Sequence, residues 1–389
     1  MFFPKEKFKG VCNSCGMPTP YELIEEEGVT KCVLCKSFEE LTEKIARKGE
    51  IKARYIVQTT PTGVEKEGTW EWNLSRFGIK YDLVDTLRNI KDKSIVYKLN
   101  DTDFIENVQE ASVSFGFTFV LQTPLMELSD LAKNSEGIKK WGVLRGDVDN
   151  LGNIFSEGLK NATISRISTL SSMLSFFFNG YINNICSEYK DNIYGIYSGG
   201  DDFFIVGSWS TLPDLAKRIY GDFRKFTGEN PDITLSIGIS VAPGEKYPIY
   251  RVADAGGIAL EKAKDIDKDK DAITFLDMPI KWDKFSGDIE KFKEKLQKFI
   301  ANKPRGILQK LYSIYEMYDI KRKEKGTEMA KYDGRHARWR WMLTYLMARL
   351  KAGREEKEEI KMMFIKNIDY SPVVIKWVEY LTRRGEKNE

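Results

Sequence analysis

The spacing of hydrophobic and polar positions divides the chain into four stretches. Residues 51–140 carry runs rich in aromatic and β-branched side chains: KARYIVQTT, TWEWNL, SIVYKL and SVSFGFTFVLQT. Such runs read as strands, and the alternation in the last one marks a half-buried strand. A short helix is expected from about Leu125 to Lys133. Residues 141–280 alternate strand and helix. WGVLRGDVD is a short apolar strand ending in acids, followed by a long helical stretch from about Ser165 to Tyr189. NIYGIYSGGDDFFIVGSW sets two β-rich runs around Gly199-Gly200, which predicts a tight hairpin. A helix from about Leu212 to Thr227, the strand ITLSIGISVA, the helix YRVADAGGIALEKAKDI and the strand AITFL complete the stretch.

The order β-α-β-β-α-β, with one further helix and strand, predicts an α+β chain with a ferredoxin-like palm. In that arrangement an antiparallel sheet carries its helices on one face. Residues 281–389 read as wholly helical. Trp339, Leu343, Leu346 and Leu350 recur there at helical spacing and are expected in a core. Four domains follow: a cysteine-bearing segment at 1–50, a β-rich segment at 51–140, the palm at 141–280 and a helical domain at 281–389.

Composition adds three constraints. Apolar residues make up 42% of 389 positions, enough for several cores. No run approaches the roughly 20 apolar residues that cross a bilayer, and MFFPKEKFKG lacks the apolar core of a secretory signal. A cytoplasmic protein without membrane contact is the expectation. The net charge of +3 conceals an asymmetry: residues 281–389 hold 27 Lys/Arg against 17 Asp/Glu, leaving residues 1–280 acidic. A basic helical end suits nucleic acid or an acidic partner, and equally a solvated surface. A single histidine, His336, excludes any catalysis that needs two.

Four of the five cysteines form two pairs, Cys12-x-x-Cys15 and Cys32-x-x-Cys35, with 16 residues between them. That is the spacing of a four-cysteine zinc site. Four thiolates close a tetrahedron and leave no open position, so the expected role is structural. Cys186 lies in an apolar helical stretch and is expected to be a small core residue.

The acids form the other candidate centre. Asp147 and Asp149 end one strand, and Asp201 and Asp202 sit on the two-glycine turn. In a ferredoxin-like sheet the first strand and this hairpin are central neighbours, so the acids converge although 54 residues separate Asp147 from Asp201. Mg²⁺ or Mn²⁺ prefers such oxygen ligands and keeps water positions open for phosphates. Gly199 and Gly200 lack a Cβ, so a triphosphate can approach the backbone. A GGDD turn alone is a weak sign. Joined to an acidic strand end and a downstream helix carrying Lys264, it is a strong one. Asp147 and Asp201 are ranked as primary ligands, Asp202 as supporting and Asp149 last.

With these segments in view, the chain resembles the large subunit of type III CRISPR effector complexes, in the III-A (Csm) branch. GVLRGDVDNLGNIF, ISRISTLSSMLSFFFNGYI, IYSGGDDFFIVGSW and the CxxC pairs carry the resemblance. The palm is also similar to diguanylate cyclases through GGDD and VADAGGIALEKAK. The resemblance implies that ATP molecules are joined 3′ to 5′ into cyclic oligoadenylates when target RNA pairs with guide RNA, within a complex of other subunits. It implies a metal ligand at Asp147 beside the Val148 carbonyl, GGDD acids at Asp201 and Asp202, and a nucleotide contact at Ser198. Asp149 joins the nucleotide-binding set, and Lys264 and Lys268 match phosphate-binding positions. Where GTP-using cyclases carry a guanine-reading asparagine, this chain has Phe155. An HD nuclease and a first palm, usual in the family, are not visible, so the chain resembles the C-terminal part of such a subunit and no HD-linked DNase activity is expected. The alternatives are an inert scaffold that docks RNA-binding subunits and a GTP-using diguanylate-type cyclase.

Overall fold

The computed structural model describes residues 8–26, 28–48, 50–106, 112–159, 162–324 and 338–383. His336 lies outside these residues. The chain divides into two compact units, one of residues 1–126 and 179–190, the other of residues 127–178 and 191–389. The two segments expected at 1–50 and 51–140 fall largely in the first unit, and those at 141–280 and 281–389 largely in the second.

The first unit begins with two small hairpins, Gly10–Val11 with Pro18–Thr19 and Ile24–Glu26 with Val29–Lys31. Helix α1 (Val33–Ile45) follows. Next come β1 (Tyr55–Thr59), α2 (Trp70–Ser75), β2 (Lys80–Val84), β3 (Ile95–Leu99) and β4 (Ser114–Thr118). The strands form one sheet in the order β4-β3-β1-β2, with Val57, Ile90 and Val96 as its small core. TWEWNL, expected as a strand, is helix α2. The Thr69 hydroxyl accepts the Trp72 N–H at 3.2 Å and caps the helix. Aromatic content favoured a strand, and the N-cap hydroxyl decided the outcome.

The second unit is built on a six-stranded sheet. Its elements begin with α3 (Leu128–Lys133) and β5 (Trp141–Val148), then the long helix α4 (Ile164–Ser175). A π-helical turn at Phe176–Tyr181 leads to α5 (Ile182–Glu188), whose residues group with the first unit. The palm continues with β6 (Ile193–Gly199), β7 (Asp202–Ser208), α6 (Leu212–Phe226) and β8 (Leu235–Val241). It ends with α7 (Ile249–Lys264), β9 (Ala272–Phe275) and β10 (Met278–Lys281). Strand order is β6-β7-β5-β8-β9-β10, with β8 and β9 parallel and the other neighbours antiparallel.

Helices cover both faces of this sheet, not one as expected. On one face the Phe203 ring lies over Gly146 and stacks with Phe178, which packs against Phe223 of α6. On the other face α7 lies against the strands. A Cβ at Gly238 would stand 2.2 Å from the Leu260 nitrogen, and one at Gly256 would stand 2.6 Å from Val143 Cγ2. The cause is topological, because the parallel β8–β9 pair needs a crossover connection and α7 supplies it. Burial on both sides explains why β5 reads as a nearly continuous apolar run.

The helical end consists, among described residues, of α8 (Glu290–Ile300), α9 (Gly306–Glu324), α10 (Arg338–Arg349), α11 (Arg354–Lys366) and α12 (Ser371–Thr382). It shares a core with the palm: Trp377 of α12 meets Phe275 of β9 at 4.9 Å and stacks on Phe285 at 5.7 Å. Trp339, Leu343 and Leu346 are buried as their spacing predicts, and Leu350 is half-buried. Cys186 is fully buried.

Candidate metal and nucleotide site

Two of the acids face each other across adjacent strands. Asp147, second to last in β5, is paired across the sheet with Asp202, the first residue of β7. Directly paired residues on neighbouring strands share a face, so these two carboxylates project from one side of the sheet. The hairpin turn holds Gly200 at φ +69, as a two-residue type II′ connection requires at its first position. The Val148 N–H donates to the Asp201 carbonyl at 3.1 Å and fastens the turn to β5. The Asp201 carboxyl is half-buried, and burial, with the Asp202 charge beside it, raises its pKa. The sequence points to Asp201 as the nearer acid; the register gives the position opposite Asp147 to Asp202.

Lys264, the last residue of α7, forms an ion pair with Asp147. Burial, with Lys270 nearby, pulls the Lys264 amine below its ordinary value, and the Asp147 carboxylate acts against that pull. The helix thus delivers a cation to the acidic strand end. Lys268 lies elsewhere: it lines a cavity of about 750 Å³ with Asn153, Glu157, Arg224 and Asp271, and neither Lys264 nor the three acids form its walls.

Asp149, expected at the nucleotide, turns inward. Its Oδ2 accepts hydrogen bonds from Thr234 Oγ1 at 2.8 Å, Ser236 Oγ at 3.0 Å and the Asp271 N–H at 3.2 Å. The residue is fully buried, and burial raises its pKa. β5 has ended at Val148 and Asn150 is left-handed at φ 54, so strand alternation no longer sets where Asp149 points. The Ser198 hydroxyl donates to the Phe178 carbonyl at 2.6 Å, in the π-helical turn. Two further residues were not anticipated. Tyr197 donates its hydroxyl to Asp202 Oδ2 at 2.6 Å, and Arg145 stands over the Phe204 ring at 5.7 Å. Both depend on strand register, which sequence spacing does not reveal.

A divalent ion fits the chemistry of this donor set: three carboxylates and a main-chain carbonyl at Val148 are hard oxygen ligands. Among the described residues, only the four paired cysteines gather three or more ligand atoms within 4.8 Å of one another. Their sulfurs are fixed by the backbone. The Cys32 N–H donates to Cys12 Sγ at 3.2 Å, and the Cys35 N–H to Cys32 Sγ at 3.4 Å, at the N-cap of α1. Burial works against ionisation of Cys12, yet hydrogen bonds from the Cys15, Cys32 and Ser14 backbone lower its pKa to about 6. Burial and the neighbouring cysteines push the Cys35 thiol the other way, so in the metal-free cluster the ionised form is concentrated at Cys12; a thiolate is the form a metal takes. The cluster can hold a zinc ion.

Comparison with known proteins agrees with this fold. Residues 140–274 match the family model of the Cas10/Cmr2 second palm domain. The chain is homologous to Cas10/Csm1 large subunits of subtype III-A. The Methanocaldococcus jannaschii protein, named a single-strand-specific deoxyribonuclease Cas10/Csm1, is 44% identical over 178 residues, 40% of this chain and 22% of that protein. The Enterococcus italicus protein of the same name is 30% identical over 265 residues, 67% of this chain and 32% of that one. Among solved structures, a Csm1–Csm4 cassette with pppApApA superposes with a TM-score of 0.62 at 23% identity, covering 85% of this chain and 49% of that chain. Csm1 from T. onnurineus gives a TM-score of 0.60 at 23% identity, covering 84% and 49%. The chain therefore spans about half of the solved relatives and a third or less of these curated ones.

Proposed function

We propose that this palm binds ATP and a divalent cation and joins ATP molecules 3′ to 5′ into cyclic oligoadenylates, as part of the large subunit of a type III RNA-guided complex. The observation that carries the reading is the pairing of Asp147 with Asp202 on adjacent strand ends, with Lys264 against Asp147. Solved Csm1–Csm4 cassettes in complex with one ATP and with cA4 support ATP as the nucleotide. Other subunits, guide RNA and target RNA are its proposed partners.

Asp147, Asp201, Asp202 and the Val148 carbonyl would hold Mg²⁺ or Mn²⁺. Bound there, the ion would lower the charge barrier at the α-phosphate, ease loss of the attacking 3′-hydroxyl proton and stabilise the pyrophosphate that leaves. Gly199 and Gly200 let the main chain lie against the triphosphate. Lys264 offers its ammonium to the phosphates, where preorganised charge is worth most. Phe155, half-buried in the π-helical turn Ile154–Gly158, lacks the side-chain amide with which GTP-using cyclases read guanine at this position. Cys12, Cys15, Cys32 and Cys35 would hold structural zinc. A second reading, an inert docking scaffold, draws on the cation-rich helical end and on Trp341, which is 77% exposed on α10.

Incubation of the chain with labelled ATP or GTP and Mg²⁺ or Mn²⁺ tests these readings. The expected product is a 3′–5′ linked oligoadenylate, lost in Asp201→Ala/Asp202→Ala while the melting curve is kept. Turnover equal to wild type in that double variant refutes the assignment. A product from GTP alone selects the diguanylate reading, and no product from either selects the scaffold.

A further inference from the structure

The strand that leads into the GGDD turn contains one residue too many. In β6, Gly195 pairs with Ile205, but Tyr197 rather than Ile196 pairs with Phe204, so the register slips by one residue at Ile196. Without this bulge, Ile196 would face the Phe204 side and Tyr197 would pair with Phe203, on the face that α6 covers. A bulge re-aims the side chains that follow it. Here it does so for two residues at once. Ser198 now pairs with Phe203 and reaches the Phe178 carbonyl. Tyr197 takes the face of Phe204, two residues along β7 from Asp202, a diagonal that an aromatic side chain spans.

On that face, Arg145, Phe204, Tyr197 and Asp202 form a connected group. Arg145 pairs with Phe204, and Asp147 with Asp202. The Arg145 guanidinium lies over the Phe204 ring and beside Gly257 of α7, where a Cβ would approach it to 3.1 Å. Tyr197 meets the same ring at 6.2 Å, edge to face. Its phenol donates its one proton to Asp202 Oδ2 at 2.6 Å. A phenol has a single O–H, so this bond commits its only donor to the carboxylate. A hydrogen bond to an ionised acceptor is among the stronger ones. It holds one oxygen of Asp202 and leaves Oδ1 to the site.

We infer that Tyr197 is a positioning residue: packed edge-on against Phe204 and placed by the bulge at Ile196, it fixes the Asp202 carboxylate in its working rotamer. This rests on the proposed role of Asp202. Tyr197 acts through Asp202 and makes no contact with nucleotide in this account, so its loss changes the rate of the bound complex and not the affinity for ATP.

Tyr197→Phe keeps the ring and removes only the hydroxyl. With the full chain, the expected result is an unchanged melting curve, an unchanged KM for ATP and a kcat lower by roughly tenfold or more, the size of one hydrogen bond to a charged group. A second readout needs no turnover. In crystal structures of wild type and Tyr197→Phe, Asp202 should occupy one rotamer in the first and more than one in the second. An unmoved Asp202 with unchanged kcat overturns the inference, as does a raised KM at constant kcat, which would make Tyr197 a nucleotide contact. If the wild-type chain makes no product, the functional reading fails, and the Asp202 rotamers still decide the role of Tyr197.

Discussion

Replacing Asp149 gives a sharp test of the palm's construction. Its Oδ2 gathers the hydroxyls of Ser236 in β8 and Thr234 just before it, both buried, and the N–H of the half-buried Asp271 just before β9. Asp149→Ala strands three donors. Each buried unpaired donor costs about 1–3 kcal/mol, and the two hydroxyls can rotate toward other acceptors while the Asp271 N–H cannot. A net loss of about 3–5 kcal/mol follows, which for a unit of this size lowers Tm by roughly 8–15 °C. Asp149→Asn behaves differently. Its amide oxygen accepts the same three bonds, but its NH₂ is left unpaired where Oδ1, which has no hydrogen-bond partner in the protein, now lies. Its loss at neutral pH should be about 1–3 kcal/mol, smaller than that of Asp149→Ala. The pH dependence separates the two further. Burial raises the folded pKa of Asp149 above its unfolded value. Its contribution is therefore present in full below the unfolded carboxylate range and is lost as pH rises through the folded value. Asp149→Asn lacks this dependence, so its stability relative to wild type should improve as pH rises through that window. Melts followed by circular dichroism at several pH values measure all of this. An Asp149→Ala chain melting within 2 °C of wild type (about 0.5 kcal/mol) would refute the brace.

The remaining predictions concern the two sites. Lys264→Ala removes the partner of Asp147 and should raise KM for ATP roughly tenfold, the loss of one charge-assisted contact, with Lys264→Arg recovering part of it; steady-state kinetics over ATP concentration measure this. Cys12→Ser or a strong chelator should release one zinc per chain, and metal analysis by mass spectrometry counts it. The same treatment should open the α1 region to protease while the palm's own melting transition is retained, because metal binding and folding are coupled only locally.

The strands, helices and acidic turn of the palm were legible because each leaves a local signature: apolar runs, helical spacing and a Gly-Gly break. The cysteine spacing likewise foretold a cluster that the fold assembles. Three features were not legible, and each has a physical reason. Helix α2 was obscured by aromatic residues that fit a strand equally well, while its start depended on one hydroxyl at Thr69. The inward turn of Asp149 depends on β5 ending at Val148, and strand ends are weakly marked in sequence. The place of Tyr197 depends on a slip of one residue in register, set by pairing between strands and by nothing local. The direct opposition of Asp147 and Asp202 belongs to the same class of information.

The contact between α7 and the sheet makes the helix a lever. Where Gly238 and Gly256 carry no side chains, strand and helix backbones touch and form a fulcrum. Lys264 lies eight residues further along, about 12 Å at the helical rise. A tilt of about 5° at the fulcrum displaces the lysine end by about 1 Å, a misplacement that costs roughly a hundredfold in rate when reacting groups must align. A methyl group added at Gly238 would therefore be felt at the acidic strand end without touching any residue there.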